Sequence, residues 1–321
     1  MAPTVVVTRP LPDPGPAALS AAGLRVVTND EDRLLEPAEL ARLLVDAEGV
    51  ICTLSDRIDA SLLDVAPRLR VVANFAVGFD NIDVAAARAR GVEVTTTPGV
   101  LTEATADLTW ALLLAASRRV GEGERMVRSG RWTGWGPRQL IGRPVSGQRL
   151  GIVGLGAIGR AVAARARGFR MEVVYTNRRR LPESTEADLG VRAVPLDELF
   201  STADVVSLHA PLNADSHHLV DARALALMKP TSILVNTARG ALVDEAALVV
   251  ALESGRIAGA GLDVFEAEPA VHPGLLGRED VVLLPHLGSA TTSARAEMVD
   301  LCVENVLRVL DGRGALTPAP G

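Results

Sequence analysis

The chain has 321 residues, more than the roughly 250–300 at which a single hydrophobic core stops growing, so two domains are expected, and its 48% apolar content can fill both. A net charge of −6, with acids and bases interspersed and no basic block interleaved with aromatics, argues against a nucleic-acid partner. Cys52 and Cys302 are too few for a disulfide framework and lack metal-ligand spacing, and no run reaches the ~18 uninterrupted apolar residues of a membrane span. The expectation is a cytoplasmic protein with buried thiols, no metal and no membrane contact. Lys229 is the only lysine, so an arginine is not informative here by its type alone.

Short β-branched runs at residues 4–8, 24–27 and 50–53 alternate with helical spacing at 16–22 and 37–47, where a proline stands near the first turn. A strand at 71–75, a helix at 84–90 closed by Gly91 and a strand at 92–95 continue the alternation. This predicts a parallel sheet covered by helices over residues 1–99, ended by Pro98-Gly99. Residues 102–120 read as a long, Ala-rich buried helix with Thr102 as its cap. From 121 to 147 the texture turns to Gly, Arg and Trp without core periodicity. With Trp132 and Trp135 both here, the stretch of about 120–147 reads as an arm that buries aromatics against a symmetric partner subunit, making a homodimer.

Residues 150–159 read LGIVGLGAIG. A strand over 150–153 meets Gly154, Gly156 and Gly159 in the G-x-G-x-x-G spacing, and an Ala-rich helix follows over 157–167. The first glycine permits the tight turn, the second a close backbone approach to a pyrophosphate, and the third close packing of helix on strand. Gly154, Leu155, Gly156, Ala157, Ile158 and Gly159 are therefore candidate dinucleotide contacts. Strands at 173–176, 205–209, 232–236, 260–263 and 281–284, with helices at 196–202, 221–227 and 245–254, extend this into a doubly wound sheet. A last helix spans 291–310 and stops at Gly312. The fold class is α/β, with two Rossmann-like or flavodoxin-like parallel-sheet domains.

An NAD site of this kind places Asp or Glu about 20 residues past the glycines, on the ribose hydroxyls. Here residues 175–180 read YTNRRR, and the carboxylate is absent. A 2′-phosphate would meet Asn177 and Arg178 as donors, with Arg179 adding field. NADP(H) is the expected cofactor, with NAD(H) as the alternative.

Six stretches in order, NFAVGFDNID at 74–83, GIVGLGAIGR at 151–160, SLHAPL at 207–212, LVNTARGALVDEAAL at 234–248, GLDVFEAEP at 261–269 and LPHLGSAT at 284–291, span nearly the whole chain. Through them the sequence resembles the D-isomer-specific 2-hydroxyacid dehydrogenases, and within them the glyoxylate and hydroxypyruvate reductases. The resemblance implies a nucleotide domain, 100–287, inserted in a substrate domain made of 1–99 and 288–321. It implies hydride transfer to a small 2-oxo acid, giving the D-2-hydroxy acid.

That reaction needs a proton donor and a cation for the carboxylate. His286, at the end of an apolar strand, suits the first role, because an imidazole both gives and recovers a proton near neutral pH. The resemblance makes Glu268 its acidic partner, which favours the imidazolium and fixes the tautomer; Glu266, two residues earlier, reads as a solvated acid. Arg239 offers a planar fork for the carboxylate. The backbone of Val77 and Gly78, with Leu54, Ser55 and Trp135, completes the implied substrate set. Thr105, His209, Ala210, Pro211, Thr237, Ala238, Asp263, His286 and Gly288 complete the implied cofactor set. Alternatives of the same chemistry are a 2-ketogluconate reductase or a phosphoglycerate dehydrogenase, though the latter usually carries the missing ribose acid. A dinucleotide-sensing corepressor of this fold is the alternative of another class.

Overall fold

In the computed structural model, which describes residues 2–320, the valine-rich runs near the N-terminus become five parallel strands. These are β1 (Thr4–Val7), β2 (Arg25–Thr28), β3 (Gly49–Cys52), β4 (Val71–Asn74) and β5 (Glu93–Thr95). Their order is β2-β1-β3-β4-β5, with Val6 opposite Val50 and Ile51 opposite Ala73. β3 and β4 are buried at every residue, as a parallel sheet covered on both faces requires. Val6, Val50 and Val72 pack with Leu40, Leu44, Ile58 and Leu63 into one core. The 19-residue helix Thr292–Leu310 lies on this sheet too. Its cap is Thr291, whose hydroxyl accepts from the Ala294 amide, and Arg70 donates to the Val309 carbonyl near its end. The chain thus divides into two compact units, Met1–Leu101 with Ser289–Gly321, and Thr102–Gly288.

The second unit holds β6 (Arg149–Val153), β7 (Glu172–Thr176), β8 (Val191–Ala193), β9 (Val205–Leu208), β10 (Ile233–Asn236), β11 (Gly259–Leu262) and β12 (Val281–Leu283). All are parallel, in the order β12-β11-β10-β9-β6-β7-β8. Successive side chains go to opposite cores: Val173 and Tyr175 to one and Val174 to the other, Ile233 and Val235 to one and Leu234 to the other. The topological switch lies between β6 and β9, the position where open α/β sheets receive ligands outside their carboxyl ends. Among the described residues no helix is long and apolar enough to cross a membrane, and both cysteines are buried free thiols.

Several elements differ from the sequence reading. The helix expected over 102–120 runs Thr102–Ser117, so Thr102 is its first residue rather than its cap. Arg119 adopts a left-handed conformation, φ 53°, and a separate helix, Val120–Arg128, follows. None of that helix's residues is buried, which is why it left no core periodicity in the sequence. The helices Ala60–Asp64, Glu183–Leu189 and Pro273–Leu276 and the three-residue strand β8 were not among the elements read from the sequence. Of the three tryptophans, Trp110 is core, stacked on Phe169 and donating from Nε1 to Val162 O at 3.1 Å. Trp132 and Trp135 are 52% and 83% exposed, and Val120, Val127 and Ile141 stand exposed in the same stretch.

Candidate active site

The glycine loop leaves β6 and enters the helix Ala157–Ala166. Gly154 takes φ +94°, and a Cβ there would fall 2.6 Å from the Ala210 amide; one on Gly159 would fall 2.3 Å from Gly154 O. These two glycines are therefore fixed by packing. Gly156 is different, because a Cβ there would meet nothing within 4 Å. Backbone exposed to open space at a helix N-terminus is what an incoming phosphate needs.

Asn177 follows directly on β7, and its Oδ1 accepts from the Leu155 amide at 2.6 Å. That bond settles the orientation of the carboxamide: the oxygen faces the glycine loop, leaving Nδ2 as the atom to present outward. A cavity of about 280 Å³ adjoins it, lined by Tyr175, Thr176, Asn177, Arg180, Ala193, Val194 and Pro195. Arg180 is engaged by Glu186, which also accepts from the Tyr175 hydroxyl at 2.6 Å; Arg180 first, then Tyr175, holds the Glu186 pKa down to about 2. Arg178 and Arg179 are exposed and have no side-chain partner among the described residues.

Across the switch point, His209 follows β9, with Nε2 2.8 Å from Ser207 Oγ. Removal from water lowers its pKa to about 4, so the ring is neutral near pH 7. A histidine depressed in this way favours the folded state above its ordinary value of about 6.5, and that contribution is lost as pH falls towards 4. Thermal melts should therefore show stability declining over this window, and His209→Gln should flatten the decline. An unchanged slope in the variant would remove His209 as its source.

Arg239 stands three residues beyond the end of β10. Asn236, 1% exposed, shapes the turn: its Nδ2 donates to Arg239 O at 2.8 Å and its Oδ1 accepts from the Ala238 amide at 3.0 Å. The next residue, Gly240, lies against the Phe265–Glu266 backbone so closely that a Cβ would sit 1.8 Å from Phe265 C. This contact joins the Arg239 turn to the segment carrying Glu268. Gly240→Ala is expected to cost about 3 kcal/mol or more, the upper end of overpacking penalties, because backbone rather than a side chain must give way. Chemical denaturation measures it; a loss below about 1 kcal/mol would show that the segment yields freely.

Glu268 Oε1 accepts from the Phe265 amide at 3.0 Å and Oε2 lies 2.9 Å from His286 Nδ1. Burial pushes the Glu268 pKa up, but the hydrogen bond and charge of His286, the Phe265 amide and the Arg239 charge outweigh it and hold the pKa below the ordinary value. Glu268 is thus ionised and paired, and both side chains keep about a quarter of their exposure, 26% for His286 and 29% for Glu268. With Nδ1 engaged, Nε2 is the atom left to face a substrate. His286 itself is in the left-handed region, φ 56°, where a non-glycine residue is strained.

Asp263 holds that strained turn. Its backbone oxygen accepts from the His286 amide at 2.9 Å, and its carboxylate accepts from the Leu287 and Gly288 amides at 2.6 and 2.8 Å. Burial, opposed by these amides, raises its pKa. Thr105 Oγ1 donates to Gly288 O at 3.1 Å, and Thr109 links Thr105 O to Thr237 Oγ1. Glu266 is not simply the solvated acid expected. It stays accessible, but its carboxylate accepts from the Glu245 amide and pairs with His218. Asn236, Gly240 and Thr109 were passed over by the sequence reading; for Gly240 the R-G pair inside the TARG motif was the available signal.

In the first unit, Leu54 and Ser55 are the central residues of a turn closed by the Asp56 amide on Thr53 O at 3.1 Å. Val77 and Gly78 lie just past β4, partly exposed, and Gly78 O accepts from Asn74 Nδ2 at 2.8 Å.

Residues 110–288 match the model of the D-isomer specific 2-hydroxyacid dehydrogenase, NAD binding domain. The glyoxylate reductase of Thermococcus onnurineus (strain NA1) is 47% identical over 316 residues, 97% of this chain and 94% of that protein. The chain belongs to the D-isomer-specific 2-hydroxyacid dehydrogenase family. It is similar to the TT0316 protein of Thermus thermophilus, with TM-score 0.93 and 47% identity over 99% of this chain and 100% of that one. It is also similar to an NADPH-dependent glyoxylate/hydroxypyruvate reductase of Sinorhizobium meliloti solved in complex with NADP and malonate, with TM-score 0.88 and 36% identity over 99% and 97% of the two chains. As a member of this dehydrogenase family the protein is an oxidoreductase with a nicotinamide-dinucleotide-binding domain, and the parallel-sheet architecture expected from its sequence is the one it has.

Proposed function

We propose that the protein is an NADP(H)-dependent reductase of glyoxylate, hydroxypyruvate or a closely related small 2-oxo acid, and that it releases the D-2-hydroxy acid. The observation that carries this reading is the 2.9 Å pairing of an ionised Glu268 with His286 Nδ1, in the same unit as the Arg239 turn and the glycine loop. The open backbone at Gly156 and the first-turn amides of Ala157 and Ile158 suit a pyrophosphate. Gly154, Leu155, Gly159, Thr105, His209, Ala210, Pro211, Thr237, Ala238, Asp263 and Gly288 are assigned to the rest of the dinucleotide. When bound, its reduced nicotinamide supplies the hydride to carbon 2 of the substrate.

The chain's own residues do the rest. Arg239 holds the carboxylate by paired charge-assisted hydrogen bonds and polarises the carbonyl oxygen. In the first unit, the Val77 and Gly78 amides, Leu54 and Ser55 are assigned to substrate binding. His286 gives the proton on Nε2 to the oxygen as its negative charge develops, so the carbonyl becomes one C–H and one O–H bond. Glu268, paired with Nδ1, holds the ring in one orientation throughout.

NADP preference rests on Asn177. With Oδ1 committed to Leu155, its outward group is a donor, which suits a 2′-phosphate; the exposed Arg178 and Arg179 add positive charge beside it. The exposed apolar residues between Val120 and Ile141 support a homodimer formed through this arm, with Trp135 offered to the neighbouring subunit's substrate. The reduced thiols fit a cytoplasmic enzyme.

Consumption of NADPH with a panel of 2-oxo acids tests the reading. Glyoxylate and hydroxypyruvate should give the highest kcat/KM, ahead of 2-ketogluconate and phosphohydroxypyruvate. Absence of turnover with every member of the panel would refute it.

A further inference from the structure

Two loops at the carboxyl ends of the neighbouring strands β3 and β4 carry Leu54 with Ser55 and Val77 with Gly78. The ladder between these strands ends with Cys52 opposite Asn74, followed by a last backbone bond from the Phe75 amide to Cys52 O at 2.8 Å. Beyond it the loops need another tie. Asn81 provides one: its Nδ2 lies 2.9 Å from Asp56 O and 3.2 Å from Thr53 O, the two carbonyls that bracket the Leu54–Ser55 turn. Its side chain also lies 3.4 Å from that of Asn74, in both donor directions. Asn74 is fully buried and donates from Nδ2 to Gly78 O at 2.8 Å. Two carboxamides therefore run in series from one loop to the other.

The turn is also braced from inside. Asp56, 2% exposed, accepts through Oδ2 from Thr8 Oγ1, Thr53 N and Thr53 Oγ1 at 2.6, 2.7 and 2.9 Å. This fixes the internal shape of the turn, whereas Asn81 fixes where the turn stands relative to Gly78. Asn81 is held in its own place by backbone, its carbonyl accepting from the Ile58 amide at 2.9 Å and the Asp83 amide donating to Ile58 O at 2.8 Å. Its carboxamide is thus a bridge on a fixed mount.

We infer that Asn81 is a positioning residue for substrate binding, acting through Asn74 to hold the Leu54–Ser55 turn and the Val77–Gly78 amides at one spacing. The inference rests on the reading of those four residues as substrate contacts. A small acid has few atoms over which to spread binding, so an error in the spacing of its donors weakens it directly, whereas the dinucleotide contacts lie in the other unit.

The test is Asn81→Asp, which keeps the shape but turns the outward donor into an acceptor facing two carbonyls, together with Asn81→Ala. KM for glyoxylate should rise about tenfold in a variant that melts like the wild type, with the Kd for NADPH within about twofold and kcat at saturation within about threefold. Hydrogen exchange should quicken in the backbone amides of residues 53–58 and not in the glycine loop. A KM within about twofold of the wild type, a matching rise in the NADPH Kd, or loss of folding in both variants would overturn the inference. Wild-type turnover with an unmoved KM in Asn81→Ala would remove only the role of Asn81. No wild-type turnover of any 2-oxo acid would remove the substrate reading beneath it as well.

Discussion

Replacing His286 with alanine is expected to lower kcat for glyoxylate by about 100- to 10,000-fold, the usual contribution of a positioned proton donor, while the Kd for NADPH stays within a few-fold of the wild type. The backbone of His286 does not depend on its imidazole, because Asp263 holds the turn through three amides, those of His286, Leu287 and Gly288. The variant therefore deletes the proposed proton donor and leaves its mount in place. Glu268→Gln should cost less than this, since a hydrogen bond to Nδ1 survives the loss of charge. Steady-state rates of both variants at saturating substrate decide the matter. A kcat for His286→Ala within tenfold of the wild type would take the residue out of this role.

Asn177→Asp should reverse the cofactor preference, lowering the ratio of kcat/KM for NADPH over NADH by about 100-fold. The substitution changes one group in a site whose geometry is otherwise kept, because an aspartate can still accept from the Leu155 amide with one oxygen. Its other oxygen would then face outward as an acceptor, suited to a ribose hydroxyl and repelled by a phosphate. A hydrogen bond to a charged group is worth about 1.5–3 kcal/mol, which sets the scale of the change before repulsion is added. Arg178 and Arg179 remain in the variant, so some NADPH activity should persist. A wild-type enzyme that prefers NADH would contradict the assignment outright.

Both sheets were legible in the sequence because parallel strands buried on two faces become continuous apolar runs, as at residues 50–53 and 232–236. The glycine loop was legible because each glycine has its own steric duty; Gly154 and Gly159 meet backbone and Gly156 meets nothing. What escaped is structure that owes nothing to periodicity. The helix Val120–Arg128, for instance, buries no residue. In the site, Asn236, Thr109 and Gly240 act through contacts with residues far along the chain or within a single turn, which spacing does not reveal. The resemblance implies Asp263 as a cofactor contact. Both of its carboxylate oxygens are on backbone amides beside His286, so the geometry gives it the further task of holding His286 in its strained conformation.

Under the proposed function this chain delivers hydride and proton to a 2-oxo acid with D selectivity. Hydroxypyruvate incubated with NADPH and the enzyme, followed by chiral separation of the product, tests it most directly. D-glycerate formed in step with NADPH consumption is the result expected; L-glycerate, a racemic product or no product would contradict it.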